Sequence, residues 1–206
     1  MAKTVHLIGN GKSAGMFLKG EKKGLKVACN IPPFAIPGLY TSVLVDFKMM
    51  KAIDDGVIEV PGDWTLGARP KKYMEMRAPF YMKHAHQIKE FYTVLPKYAP
   101  NYTDFNCGHM ATHYIMNKLK ADEIHMYGFD SIFAFDITSS SDSYMKSSRD
   151  NLNTERLTSR WRPIWKGMFN EFKDRKFVLY STSASGHSHV PLPDNVEVVL
   201  NKKGKK

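Results

Sequence analysis

The first third of the chain is built from apolar runs that are short and continuous. Thr4 to Gly9 reads as a buried strand, and Leu25 to Cys29 and Thr41 to Asp46 repeat the pattern. Ser13 to Leu18 reads as a short helix that stops near Gly20, and Phe47 to about Ile53 as a second one. Pro32 to Gly38 is a proline-rich loop, and Val57 to Val60 is expected to be a short fourth strand. Continuous apolar strands alternating with helices predict a parallel sheet covered on both faces.

The middle is less regular. Trp64 to Pro79 reads as a loop carrying Arg69, Lys71, Lys72 and Arg77, and Lys83 to Leu95 as a helix with an aromatic edge. From Cys107 the pattern sharpens. Met110, Ala111, Tyr114, Ile115 and Leu119 share one helical face, and Ile124 to Tyr127 forms a strand ending in Gly128-Phe129-Asp130. Thr138 to Ser148 is serine-rich, with a lid-like loop expected at 138–148. A helix begins near Asn153. Its apolar stripe runs from Trp161 to Phe172, and Pro163 either kinks it or marks its true start. Lys176 to Tyr180 and Val196 to Leu200 complete the strands. The expectation is an α/β, Rossmann-like, mostly parallel sheet with helices on both faces. It forms one domain over residues 1–200, followed by a basic tail at 201–206.

Composition narrows the function classes. Of 206 residues 43% are hydrophobic, enough for a packed core. Cys29 and Cys107 match no zinc or redox spacing, which favours a reducing compartment. The run Val5 to Ile8 is too short for a signal peptide or a membrane span, so a cytoplasmic location is expected. The net charge of +10 favours anionic partners such as nucleotides or nucleic acid, part of it residing in the lysine-rich tail.

The candidate chemistry gathers at strand ends. Gly9, Gly11 and Gly15 follow the first strand, where small residues let backbone N–H groups approach a phosphate. A P-loop would need glycine at His6, and a dinucleotide fold an acid at Asn30, so neither familiar motif is present. The plain alternative is a tight strand-to-helix turn. Asn30, Asp46 and Asp130 also end strands, and in a parallel sheet those ends share the ligand-binding edge. Asp46 and Asp130 are candidates to hold magnesium beside a diphosphate. Asn106-Cys107-Gly108-His109 opens the middle helix, with Asn106 either a cap or a ligand contact and Cys107 a nucleophile only if a base stands beside it. His84, His86, His187 and His189 are the other histidines weighed as a general base or as plain surface residues, and His187 is the candidate carried forward.

The set Gly9-Asn10-Gly11-Lys12-Ser13, Val27-Ala28-Cys29-Asn30, Asn106-Cys107-Gly108 and Glu123 to Asp130 resembles the bacterial family 42 sialyltransferases. It also resembles the related motility-accessory and archaeal pterin-diphosphokinase-like proteins, over roughly residues 4–46 and 104–136. The resemblance implies a CMP-type nucleotide-sugar donor and no metal for the chemistry. Asn10, Gly11, Ser13 and Asn30 would contact the nucleotide, and Asn106 and Gly108 the donor's sugar or phosphate. The segment 138–148 would be a lid. The family's phosphate-holding tyrosines fall at Ile132 and Phe133, its lid histidine is missing between Gly128 and Gly186, and Asp104-Phe105 stands where an arginine is expected. The leading expectation is a glycosyltransferase-like transferase with Asp130 and His187 as catalytic candidates. The alternatives are a magnesium-dependent diphosphotransferase and a non-catalytic nucleotide or nucleic-acid binder. The sequence does not identify the acceptor, and the basic charge is compatible with a glycan or a nucleic acid.

Overall fold

A computed structural model describes residues 3–135, 157–183 and 186–201. The segment 138–148 and the tail after Asn201 lie outside the described residues. Eight strands form one sheet, β1 (Thr4–Ile8), β2 (Leu25–Cys29), β3 (Leu39–Leu44), β4 (Trp64–Leu66), β5 (Ile88–Phe91), β6 (Glu123–Tyr127), β7 (Lys176–Ser181) and β8 (Val196–Leu200). Every neighbouring pair is parallel, in the order β5-β4-β3-β2-β1-β6-β7-β8. This is the Rossmann-like α/β arrangement expected from the alternating strands and helices.

Both faces of the sheet are covered. Val5, Leu7, Val27, Ile124, Met126 and Phe177 pack against α4 (Cys107–His113) and α5 (Arg162–Glu171). Ile8, Ala28 and Tyr127 point the other way, onto a 3-10 helix at Lys12–Leu18. Leu44, Trp64 and Leu66 are covered on that side by α1 (Phe47–Asp54), α2 (Ala68–Met76) and α3 (Ala78–His84). Central strands buried on both faces explain why their sequences are continuous rather than alternating.

Three expectations are corrected. Val57 to Val60 is not a strand: Ile58 and Val60 are buried in a connecting segment, and the Val60 carbonyl accepts the Trp64 indole N–H at 2.9 Å. Trp64 to Pro79 is not a loop, since it holds β4 and α2 and enters α3. Lys83 to Leu95 is not a helix, because α3 ends at His84 and the edge strand β5 follows. Prolines account for the second of these. Pro70 stands in the first turn of α2 and Pro79 at the start of α3, where the missing N–H has no helical partner to lose. Pro163 likewise sits at the start of α5, after a π-helical turn at Leu157–Trp161. No helix among the described residues is long and apolar enough to cross a membrane.

Candidate functional site

Because all strands run the same way, their C-terminal ends share one edge. The chain steps from β1 to β5 on one side, then returns to β1 and continues through β6 to β8 on the other. The strand order therefore reverses between β1 and β6, and the crevice outside those two strand ends is where such sheets bind ligands.

The glycine turn lies at this point and is stitched to the end of β6. Gly9 N–H donates to the Tyr127 carbonyl at 2.7 Å and Gly11 N–H to the Gly128 carbonyl at 3.1 Å. Gly128 N–H donates to Ser13 Oγ at 2.9 Å, and Ser13 N–H donates to Asp130 Oδ2 at 3.1 Å. A Cβ on Gly11 would fall 2.1 Å from Asp130 Oδ2, and one on Gly9 2.7 Å from the Gly128 carbonyl oxygen. These glycines are thus required by the close approach of two loops. The Asp130 carboxylate occupies the start of the 3-10 helix, the position a phosphate takes in other folds of this kind. An anionic ligand at Ser13 must displace Asp130 or sit beside it.

Asn30 ends β2 with φ +55°, a left-handed conformation that asparagine tolerates. Its N–H donates to the Val43 carbonyl at 2.9 Å. Its side-chain oxygen Oδ1 is buried with no hydrogen-bond partner among the described residues. Asn10 Nδ2 donates to the Ile31 carbonyl at 2.6 Å, tying the first turn to the loop after Asn30. Asp46 caps α1 by backbone position alone, because its Oδ1 accepts from Arg69 Nη2 at 2.7 Å. Beside that ion pair a small surface depression, with room for about one water molecule, is lined by Val45, Gly67, Arg69, Tyr92, Tyr102 and Phe105.

Asp46 and Asp130 do not converge. They end β3 and β6, and β2 and β1 stand between. At ~4.8 Å per strand step that is about 14 Å, whereas two oxygens on one magnesium lie about 4 Å apart or less. Among the described residues no group of three or more His, Cys, Asp or Glu is placed to hold a metal.

Asn106 caps α4 through Oδ1, which accepts His109 N–H at 3.0 Å, while Asn106 N–H donates to His109 Nδ1 at 3.3 Å. Gly108 is required locally, since a Cβ there would lie 2.7 Å from the Phe129 ring. Replacing Asn106 by Ala removes this cap and is expected to cost about 1 kcal/mol, read as a lower urea midpoint. The Cys107 thiol is buried and donates to the Val43 carbonyl at 2.9 Å. Burial, and then the neighbouring Cys29, push its pKa well up, so it is a packing residue rather than a nucleophile.

His84 and His86 precede β5 and lie at the opposite edge, His84 stacked on Trp64 and bonded to Gln87 at 2.8 Å. His187 lies exposed in the loop after β7, on the ligand edge. Two residues on, His189 N–H donates to the Ile132 carbonyl at 2.9 Å, which fastens that loop to the 3-10 turn Asp130–Ile132. The loops of Asp130 and His187 are therefore neighbours. Arg69 and Arg162 were not foreseen as site residues. Arg162 had one signal, a charge at a position flanked by Trp161 and Pro163 at the head of an apolar stripe.

No family model matches the chain, and neither the curated proteins nor the solved structures give a match.

Proposed function

We propose that the protein is a transferase that takes a nucleotide-activated donor at the C-terminal edge of its sheet, with the nucleoside over β1 and β2 and the reacting end toward β6 and β7. The observation that carries this reading is the Oδ1 of Asn30, buried and unpartnered among the described residues, near the point where the strand order reverses. A buried acceptor left unpaired costs free energy, and a ribose hydroxyl or a base amine supplies the missing donor. Asp130 and His187, on adjacent loops, are the groups to accept a proton from an acceptor hydroxyl. A glycosyl donor of the CMP type is the specific form, supported by the resemblance of the Gly9–Ser13, Asn30 and Asn106–Gly108 segments to sialyltransferase-like proteins. The separation of Asp46 from Asp130 speaks against a diphosphotransferase in which the two share one magnesium.

The test is a titration with CMP, CDP, UDP and GDP. A bound nucleotide at about 100 times its Kd adds ~2.7 kcal/mol of stability, a rise in Tm of roughly 5–10 °C for a chain of this size. Asn30→Gly keeps the left-handed backbone and removes the acceptor. It is expected to melt near the parent and to bind the nucleotide at least ten times more weakly. No shift with any of the four nucleotides would retire the proposal.

A further inference from the structure

Arg162 begins α5 and is only 6% exposed. Its guanidinium donates from Nε to the Ser131 carbonyl at 3.2 Å and from Nη2 to the Ala134 carbonyl at 3.0 Å. Bonds to described residues account for two of its five N–H groups. Among the described residues no carboxylate pairs with it, and burial lowers its pKa with no acidic neighbour acting in return. A buried cation is ordinarily paired.

Among the described residues, further basic groups stand close by. Its Cζ stands 4.3 Å from the centre of the Phe135 ring, and the His189 ring 4.6 Å from the same centre. His187 and His189 lie 5.5 Å apart. The His189 pKa is lowered by burial first, then by Arg162 and His187. Phe135 is 42% exposed, so its ring presents this group to solvent. All of it sits at the C-terminal ends of β6 and β7, on the ligand edge.

We infer that Arg162, His189 and His187 form an oxyanion site that takes a phosphoryl group, either free as pyrophosphate or carried by a nucleotide. The phosphoryl oxygens would supply the negative charge that no described residue provides at this place. Arg162 is the principal donor and the two imidazoles flank it with ring N–H groups, with Phe135 as the floor. This inference shares His187 and the ends of β6 and β7 with the proposed transferase site, but its anion is held by Arg162 and not by Asn30, so the two can fail separately.

The full-length protein with ¹³C-labelled histidine is titrated with pyrophosphate and, separately, with CMP. The expected result is saturable movement of the His187 and His189 ring signals, with His86 as the unmoved control. CMP moving the same two signals identifies the nucleotide as the carrier, and pyrophosphate alone doing so identifies the free anion. The double variant His187→Ala, His189→Ala should weaken pyrophosphate at least tenfold, and Arg162→Met should weaken it further while keeping the aliphatic packing. Should Arg162→Met fail to fold, the double variant decides, since both of its histidines are exposed. Pyrophosphate that moves neither histidine signal, or binds the double variant as tightly as the parent, overturns the inference. Loss of CMP binding in Asn30→Gly with pyrophosphate binding intact would separate the two sites.

Discussion

Gly128→Ala is expected to lower the stability of the protein by roughly 3–4 kcal/mol, a fall in Tm of about 10 °C. Two costs add. Gly128 has φ +81°, where an L side chain costs ~1–2 kcal/mol. A Cβ there would also lie 2.8 Å from the Gly9 carbonyl carbon and 2.9 Å from its oxygen. Both atoms are backbone, and Gly9 is held by its bond to Tyr127, so the clash cannot be relieved by a rotamer change. Gly15→Ala is the control, because a Cβ there meets nothing within 4 Å. Thermal melts of the two variants should differ by most of the predicted amount. Equal melts would mean that the two loops at the crevice are not in contact.

Acid should destabilise the protein through His109. This histidine is fully buried against Phe105 and Trp165, and burial pushes its pKa down to about 3 from the usual 6.5. The unfolded chain therefore binds a proton below pH 6.5 that the folded chain refuses, and stability falls as pH falls through that window. The loss is about 2 kcal/mol by pH 5 and roughly 4–5 kcal/mol near pH 3, at ~1.4 kcal/mol per pH unit. His6, His113 and His125 are lowered chiefly by burial too and act in the same sense. His109→Gln cannot titrate, yet its amide oxygen is able to accept Asn106 N–H as Nδ1 does. Urea unfolding at pH 8 and pH 5 should show a gap between these pH values that is smaller by about 2 kcal/mol in His109→Gln. An unchanged gap would show that His109 is not the buried acceptor of the α4 cap. Protonation of Nδ1 also ends that acceptor role, so the turn carrying Asn106 and Gly108 should loosen first.

The sequence made the inner strands legible because each is buried on both faces. Val5 to Ile8, Val27 to Cys29 and Ile124 to Tyr127 are apolar runs with one feasible structure. The outer strands carry less signal. β4 is three residues long, and β5 alternates between half-buried and exposed positions, which resembles a polar helix edge. Val57 to Val60 misleads in the opposite direction, with Ile58 and Val60 filling space beside Trp64 without pairing. At the site, glycines, Asn30 and the strand-ending acids could be placed on the ligand edge from pattern alone. What pattern could not supply was occupancy. The closure of Ser13 by Asp130, the pairing of Asp46 with Arg69 and the solitary Arg162 depend on contacts between segments 23 to more than 100 residues apart.

The placement of β1 also bears on how the protein is assembled during synthesis. Strands β1 to β5 pair with their neighbours in the order in which they leave the ribosome. The other edge of β1 must wait for residues 123–127, more than 110 positions later. Until then Val5 and Leu7 belong to an open strand edge of the kind that recruits other chains. A fragment ending at Phe91 would keep that edge permanently unpaired. The ligand crevice thus closes only after the first five strands are in place, and until β6 emerges the nascent chain carries an open edge in the middle of its final sheet.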